Sequence, residues 1–210
     1  MPTIQQYSVL NGCEILIWQI SESIDTLKTN LIATKLEWDE FTNISHPQKQ
    51  AEWLAGRLAL QTLIQRQGIV YAGMYKDEAG KPHLIHHKGY ISITNTNKYV
   101  AAVFHTLKLV GIDMEKMSDK LIRISHKFLS ESELSYAKDN IEILAAYWCA
   151  KEAIYKLQGK KKVSFKDHIH IPDFDKTYQF FEGQLNFEQQ NETYQLFQFE
   201  IEDFYGVVAV

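Results

Sequence analysis

The order helix, loop and hairpin occurs twice along this chain, and the repetition constrains the fold more than any other feature. Each long helical segment contains a tryptophan followed two positions later by an alanine, Trp53-Leu54-Ala55 and Trp148-Cys149-Ala150. Two strand-like runs also correspond, Tyr99-Val100-Ala101-Ala102-Val103 and Tyr205-Gly206-Val207-Val208-Ala209. Internal repeats predict that each copy is one structural unit. A chance match is the alternative, because the identities are few.

The repeat and the length together predict the domain organisation. A chain of 210 residues fits one large domain or two small ones of about 100 residues each. We therefore predict an α+β fold made of two similar halves, residues 1–107 and 108–210. Each half is expected to pack a long helix on a small, mainly antiparallel sheet.

The composition excludes several classes of protein. The 22 basic and 26 acidic residues give a net charge of −4, which does not suit bulk binding of nucleic acid. Cys13 and Cys149 cannot form a disulfide framework and suit a reducing compartment. The N-terminal residues MPTIQQYSVL lack the pattern of a secretory signal, and no apolar run approaches the roughly 20 residues of a membrane span. We expect a cytoplasmic protein that binds neither nucleic acid nor membrane.

Hydrophobic periodicity predicts the helices and strands. A capping box, Ser130 with Glu133, indicates a helix start, and Gly159 indicates a helix end. The predicted helices are 24–41, 48–67, 119–128 and 131–158. The predicted strands are 13–20, 90–94, 99–104, 109–114, 179–181, 184–187, 194–201 and 205–210.

The run Leu109–Glu115 acquires two carboxylates as it ends. Side chains alternate along a strand, so Asp113 and Glu115 lie on one face while Ile112 and Met114 lie on the other. Mg²⁺ is usually held by one or two carboxylates together with water and phosphate oxygens. The pair therefore indicates a possible magnesium site. A strand running out into solvent is the alternative.

A second pair of charged residues lies on the predicted helix 131–158. Glu152 and Lys156 are one turn apart, a spacing that most often gives a surface ion pair. The helix around them is mainly apolar, however, whereas a surface pair more usually lies on a broadly polar face. If these two residues converge with Asp113 and Glu115, the set suits magnesium-dependent phosphoryl transfer.

Two motifs carry a resemblance to a known family. Residues 111–115 read Gly-Ile-Asp-Met-Glu, and residues 148–156 read Trp-Cys-Ala-Lys-Glu-Ala-Ile-Tyr-Lys. These motifs and their spacing resemble G-I-D-x-E and W-x-x-K-E-A-x-x-K of the 4′-phosphopantetheinyl transferases. Weaker matches are Gly80-Lys81-Pro82, Phe128-Leu129-Ser130 and Ala55-Gly56-Arg57, so that the resemblance covers residues 48 to 165. The length resembles that of the larger, pseudo-dimeric surfactin-synthetase-activator type.

The resemblance implies a role for each matching residue. Asp113, Glu115 and Glu152 would hold Mg²⁺ against the pyrophosphate of coenzyme A. Glu152 would also deprotonate the serine of an acyl or peptidyl carrier protein, and Lys156 would neutralise the departing adenosine 3′,5′-bisphosphate. Lys81 and Arg57 would contact the phosphates or the adenine of coenzyme A.

One position departs from the family pattern. The family carries Ser-His-Ser or a close variant where this chain has Thr94-Asn95-Thr96, so Asn95 replaces a histidine that contacts a coenzyme A phosphate. Asparagine can donate a hydrogen bond but carries no charge. Lys98 and His105 are candidates for a compensating basic group. A module that binds coenzyme A or a carrier protein without catalysis is therefore the alternative function.

The resemblance also implies partners. We expect coenzyme A and an acidic carrier protein, with the basic run Lys160–Lys162 as a possible steering element. Two similar halves in one chain would take the place of two separate subunits, so a monomer is expected.

Overall fold

A computed structural model describes residues 4–9, 12–159 and 162–210. Lys160 and Lys161 of the basic run lie outside the described residues. The chain forms two compact units, Met1–Val110 and Gly111–Val210. Among the described residues, no helix combines the length and the apolar character that crossing a membrane requires.

Among the described residues of the first unit, three helices and a six-stranded sheet surround one core. Every described strand pair is antiparallel, in the order β1-β2-β6-β5-β4-β3. The helices are α1 (Ile24–Asn30), α2 (Lys35–Thr42) and α3 (Pro47–Arg66). The strands are β1 (Ile4–Val9), β2 (Cys13–Gln19), β3 (Met74–Lys76), β4 (Pro82–Leu84), β5 (Tyr90–Asn95) and β6 (Tyr99–His105).

Helix α3 is the central element of the first unit. Pro47 occupies its first turn, where a missing N–H is tolerated, and the side chain of His46 accepts a hydrogen bond from the Gln48 N–H. Leu54 and Leu58 are buried in the same core as Leu16 of β2 and Val100 of β6. The helix therefore lies across the middle strands of the sheet.

The second unit has the same architecture, and the part of it that the structure describes has a five-stranded sheet. Its described strand pairs are also antiparallel, in the order β7-β11-β10-β9-β8. The helices are α4 (Lys120–Phe128), α5 (Glu131–Ala137) and α6 (Ile141–Gln158). The strands are β7 (Gly111–Lys116), β8 (Ile169–His170), β9 (Phe180–Phe187), β10 (Gln190–Ile201) and β11 (Phe204–Ala209).

The two units share one topology. In each, a strand leads through two short helices and a long helix into an antiparallel series of strands, and the last strand pairs beside the first. The order β2-β6-β5-β4-β3 corresponds strand for strand to β7-β11-β10-β9-β8, and β1 is extra. The predicted α+β fold, a long helix on a small antiparallel sheet in each half, is confirmed.

Two predicted helices are each broken in two. The prediction of one helix over 24–41 is wrong, because α2 begins after a capping box in which Thr34 and Glu37 exchange side chain-to-backbone hydrogen bonds. The prediction of one helix over 131–158 is also wrong, because Lys138 and Asp139 have positive φ values of 45° and 58°. The Asn140 side chain then caps α6. The predicted Ser130–Glu133 capping box and the helix end at Gly159 are confirmed.

Candidate active site

Strand β7 lies against α6 at unusually close range. A Cβ on Gly111 would lie 1.9 Å from the Ala153 carbonyl oxygen and 2.7 Å from the Leu157 nitrogen, both backbone atoms of α6. Only glycine fits this approach. Because strand side chains alternate, the residues two and four positions further along, Asp113 and Glu115, also face the helix.

Asp113 meets Lys156 directly. The Lys156 Nζ donates to Asp113 Oδ1 at 2.7 Å and to the Ile112 carbonyl oxygen at 3.1 Å. Asp113 is only 5% exposed, so this is a largely desolvated, charge-assisted contact. The structure therefore brings one predicted metal ligand and one predicted catalytic residue together, as the convergence of the two motifs requires.

Glu152 lies one helical turn before Lys156 and is partly buried. Burial, with repulsion from Asp113 and Glu115, raises the pKa of Glu152 to about 7, and Lys156 opposes this shift. Burial also raises the pKa of Glu115, with a smaller contribution from Asp113. The pKa of Glu152 therefore responds to Asp113 and Glu115, and the pKa of Glu115 responds to Asp113, so the three acids lie within electrostatic range.

The three acids have the donor chemistry of a site for a hard cation. Carboxylate oxygens are the ligands that Mg²⁺ prefers, and their mutual repulsion is what a divalent cation would relieve. Among the described residues, no group of three or more His, Cys, Asp or Glu side chains is spaced to hold a metal ion as it stands. Asp113, Glu115 and Glu152 are therefore neighbours with suitable chemistry rather than a closed ligand cage.

Lys81 lies on a tightly bonded loop of the first unit. Asp77 Oδ1 accepts hydrogen bonds from the backbone nitrogens of Ala79 and Lys81, each at 2.9 Å. Asp77 Oδ2 lies 2.9 Å from His83 Nε2. Burial lowers the pKa of Lys81, and Asp77 opposes this shift. The loop thus fixes the backbone from which the Lys81 side chain extends.

Asn95 lies at the exposed end of β5, and its side chain contacts α3. A Cβ on Gly56 would lie 2.8 Å from Asn95 Oδ1, so the asparagine side chain rests directly on the helix at a glycine. Nearby in sequence, His105 is 3% exposed, and its Nδ1 accepts hydrogen bonds from the backbone nitrogens of Leu107 and Lys108. His105 therefore holds a turn, which does not favour it as a replacement for the missing histidine charge.

The structure gives Arg57 internal partners. Its guanidinium pairs with Glu37 at 3.2 Å and with Glu40 at 3.0 Å, and it lies 3.4 Å from the centroid of the Trp53 ring. Arg57 is 6% exposed. The expected contact between Arg57 and coenzyme A stays a prediction, and these contacts favour a packing role instead.

Two residues of the second motif have contacts that the sequence did not predict. Trp148 packs edge-on against Phe128, with ring centroids 4.9 Å apart, and its hydrogen bond to Glu115 opposes the rise in the pKa of that carboxyl. Lys151 is fully buried and pairs with Glu133 at 2.7 Å. The sequence predicted that Glu133 belongs to the capping box at the start of a helix, but it gives no signal that Glu133 also pairs with Lys151.

A comparison of the sequence with protein families finds a match in the segment that contains this site. Residues 109–206 match the 4′-phosphopantetheinyl transferase superfamily. The match covers slightly less than half of the chain, yet it contains all three acids and Lys156. Lys81, Asn95 and Arg57 lie outside it. A search of curated proteins finds no match. The superfamily match supports phosphopantetheinyl transfer in general.

Proposed function

We propose that this protein transfers the 4′-phosphopantetheine arm of coenzyme A to a serine of an acyl or peptidyl carrier protein. The other product is adenosine 3′,5′-bisphosphate. The observation that carries the proposal is the contact between Lys156 and Asp113 beside Glu152, within the segment that matches the superfamily. The finer assignment to the surfactin-synthetase-activator type is part of the proposal, supported by the shared topology of the two units.

The proposed metal ligands are Asp113, Glu115 and Glu152. Bound Mg²⁺ would neutralise the pyrophosphate oxygens of coenzyme A, which is the main requirement of phosphoryl transfer besides orientation. Burial is the main cause of the raised pKa values of Glu115 and Glu152, and repulsion from neighbouring carboxylates adds to it; a divalent cation would relieve that repulsion, which supports the proposal.

Glu152 is the proposed base. The serine hydroxyl oxygen would attack the phosphorus that carries the pantetheine arm, and its proton would pass to Glu152 directly or through water. Without a bound cation the pKa of Glu152 is about 7, near the working pH at which a base is most effective, and a cation on the same carboxylate would lower it. The phosphorus–oxygen bond to the adenosine bisphosphate then breaks.

Lys156 is the proposed partner of the leaving group. Its Nζ already holds a fixed position on Asp113, with 29% of the side chain exposed, so the ammonium is anchored yet accessible. A cation at this position would offset the negative charge that develops on the departing bisphosphate. Anchoring also lowers the entropy lost when the lysine engages that group.

Lys81 and Asn95 are the proposed contacts of coenzyme A in the first unit, whereas the contact of Arg57 with coenzyme A stays a prediction that its internal partners do not favour. Lys81 has the strongest case, because the Asp77 side chain holds its backbone in one conformation. The cytoplasmic location and the monomeric state stay predictions.

A carrier-protein assay tests the proposed function. Several apo carrier proteins would be incubated with the chain, coenzyme A and Mg²⁺, and the mass gain of the phosphopantetheine arm would be measured. Asp113→Asn should abolish the gain while leaving the far-UV circular dichroism spectrum unchanged. Absence of any gain with every carrier, under conditions where a known transferase modifies them, would refute the proposal.

A binding module is the second candidate, favoured by Asn95 in place of a basic residue. Isothermal titration calorimetry would separate the two functions. Heat of coenzyme A binding without mass gain on any carrier would support the module, whereas binding with mass gain supports the transferase.

A further inference from the structure

A buried ion pair connects α6 with the segments around it. Lys151 is 0% exposed and Glu133 1% exposed. Lys151 Nζ donates to Glu133 Oε2 at 2.7 Å, to the Phe165 carbonyl oxygen at 2.9 Å and to the Ile169 carbonyl oxygen at 2.7 Å. All three donors of the ammonium are therefore used, as burial of a charge requires.

Glu133 is equally well satisfied. Besides Lys151, it accepts hydrogen bonds from the backbone nitrogen of Ser130 at 2.7 Å and from that of Ile171 at 3.0 Å. The pair thus joins the start of α5, the middle of α6 and the chain on either side of β8. We call Glu133 and Lys151 the second-unit clamp.

The first unit contains the same device. Glu37, in the corresponding capping box, accepts from the Arg57 Nε of α3 at 3.2 Å. It also accepts from the backbone nitrogens of Thr34 at 3.0 Å and of Met74, the first residue of β3, at 3.4 Å. We call Glu37 and Arg57 the first-unit clamp. Recurrence in the same topological place shows that the clamp belongs to the architecture of each unit.

The two clamps differ in the residue that comes directly after the clamp cation. In the second unit, the residue after Lys151 is Glu152, the proposed base. In the first unit, the residue after Arg57 is Leu58, which is 3% exposed and part of the core. Only the second-unit clamp is therefore adjacent to reacting groups.

We infer that Glu133 is a positioning residue that acts through Lys151 to hold Glu152 opposite Asp113. The inference rests on the proposed function. Helix α6 is fixed on one side by Lys151 and on the other by the close approach of Ala153 to Gly111. Glu152 lies between Lys151 and Ala153 in sequence. Weakening the contact between Lys151 and Glu133 therefore lets the helix rotate about the contact between Ala153 and Gly111.

The expected consequence is large for a residue that touches neither substrate nor metal. A displacement of about 1 Å of a reacting group can lower the rate on the order of 100-fold. Partial loosening should therefore lower kcat and weaken divalent-cation binding by roughly tenfold, while the KM for coenzyme A changes little.

The test compares Glu133→Gln with its matched control, Glu37→Gln. Glutamine keeps one oxygen for the capping box in both units, and each variant loses one charge and one hydrogen-bond acceptor of its clamp. The readouts are Mn²⁺ affinity by electron paramagnetic resonance, without coenzyme A, and kcat with a carrier protein. We expect Glu133→Gln to weaken Mn²⁺ binding and lower kcat by about tenfold, and Glu37→Gln to leave Mn²⁺ affinity within about twofold of wild type. Equal Mn²⁺ affinities in the two variants would overturn the inference.

A second variant separates positioning from stability. Replacing both members of a buried ion pair by uncharged side chains often restores stability that a single replacement loses. The double variant Glu133→Gln with Lys151→Met should therefore regain melting temperature relative to Glu133→Gln, while Mn²⁺ affinity stays low. Recovery of Mn²⁺ affinity along with stability would show that the clamp only stabilises the fold. If wild type neither binds Mn²⁺ nor modifies any carrier, the proposed function fails first, and the inference with it.

Discussion

Replacing Glu152 by glutamine should stabilise the protein while abolishing its proposed activity. Glu152 is partly buried, and repulsion from Asp113 and Glu115 adds to the cost of its ionisation. Glutamine has nearly the same shape and carries no charge, so it removes that cost without opening a cavity. Groups arranged for function at the expense of stability typically show this trade-off.

The size of the effect follows from the pKa of Glu152. The carboxyl ionises near 4.5 in the unfolded chain and near 7 in the folded one, so the folded state binds the proton more tightly. The stability that this proton contributes is fully present below pH 4.5 and is lost as pH rises through 7. Full ionisation corresponds to about 3 kcal/mol. Solvent screening of a partly exposed group lowers the expected gain for Glu152→Gln to roughly 1–3 kcal/mol at pH 8.

Thermal unfolding in a chelating buffer measures this gain. At pH 8 the melting temperature of Glu152→Gln should exceed that of wild type by roughly 2–8 °C, and the difference should shrink at pH 5 because less of the ionisation cost remains there. Glu182→Gln, which changes an exposed glutamate of β9, is the control and should change the melting temperature little, as surface substitutions usually do. Mg²⁺ should raise the melting temperature of wild type more than that of Glu152→Gln. A variant no more stable than wild type at pH 8 would refute the reasoning.

Three further substitutions test other parts of the structure. Gly111→Ala should lower the free energy of unfolding of the second unit by about 3 kcal/mol, because the added Cβ would lie 1.9 Å from the Ala153 carbonyl oxygen. Urea unfolding measures this loss, and a loss below about 1 kcal/mol would contradict the close approach. Lys81→Met should raise the KM for coenzyme A roughly tenfold with kcat nearly unchanged, as loss of a charged hydrogen bond predicts, whereas an unchanged KM would remove Lys81 from the site. Asn95→His should lower the KM for coenzyme A several-fold at pH 6 but little at pH 8, because histidine is charged only at the lower pH. Equal KM values for the variant and wild type at pH 6 would show that no phosphate lies near this position.

Features encoded over a few neighbouring residues could be predicted from the sequence. The capping box at Ser130, the helix end at Gly159 and the alternation that puts Asp113 and Glu115 on one face all depend on local geometry. The convergence of Asp113 with Lys156 could be inferred because two motifs with known spacing had to share one site.

Features that depend on partners distant in sequence could not be predicted. The helical spacing of apolar residues continues across 31–34 and across Lys138–Asp139. The helix breaks at these positions are therefore visible only in the structure, as a capping box and as positive φ values. The two-residue strand β8 is defined by its pairing with β9 and has too few residues to show a pattern. Burial of Lys151 is likewise decided by Glu133, 18 positions away.

The matched tryptophans and the two clamps give different alignments of the two long helices. Counted from the matched tryptophans, Arg57 lies four positions after Trp53, whereas Lys151 lies only three positions after Trp148. Positions three and four further along a helix lie on the same side, so either can supply the cation that pairs with the capping glutamate. Using the third position in the second unit frees the fourth for Glu152, and an alignment by identity therefore pairs a clamp residue with the proposed base. In the alignment set by the clamps, Leu58 corresponds to Glu152, so the two alignments differ by one residue.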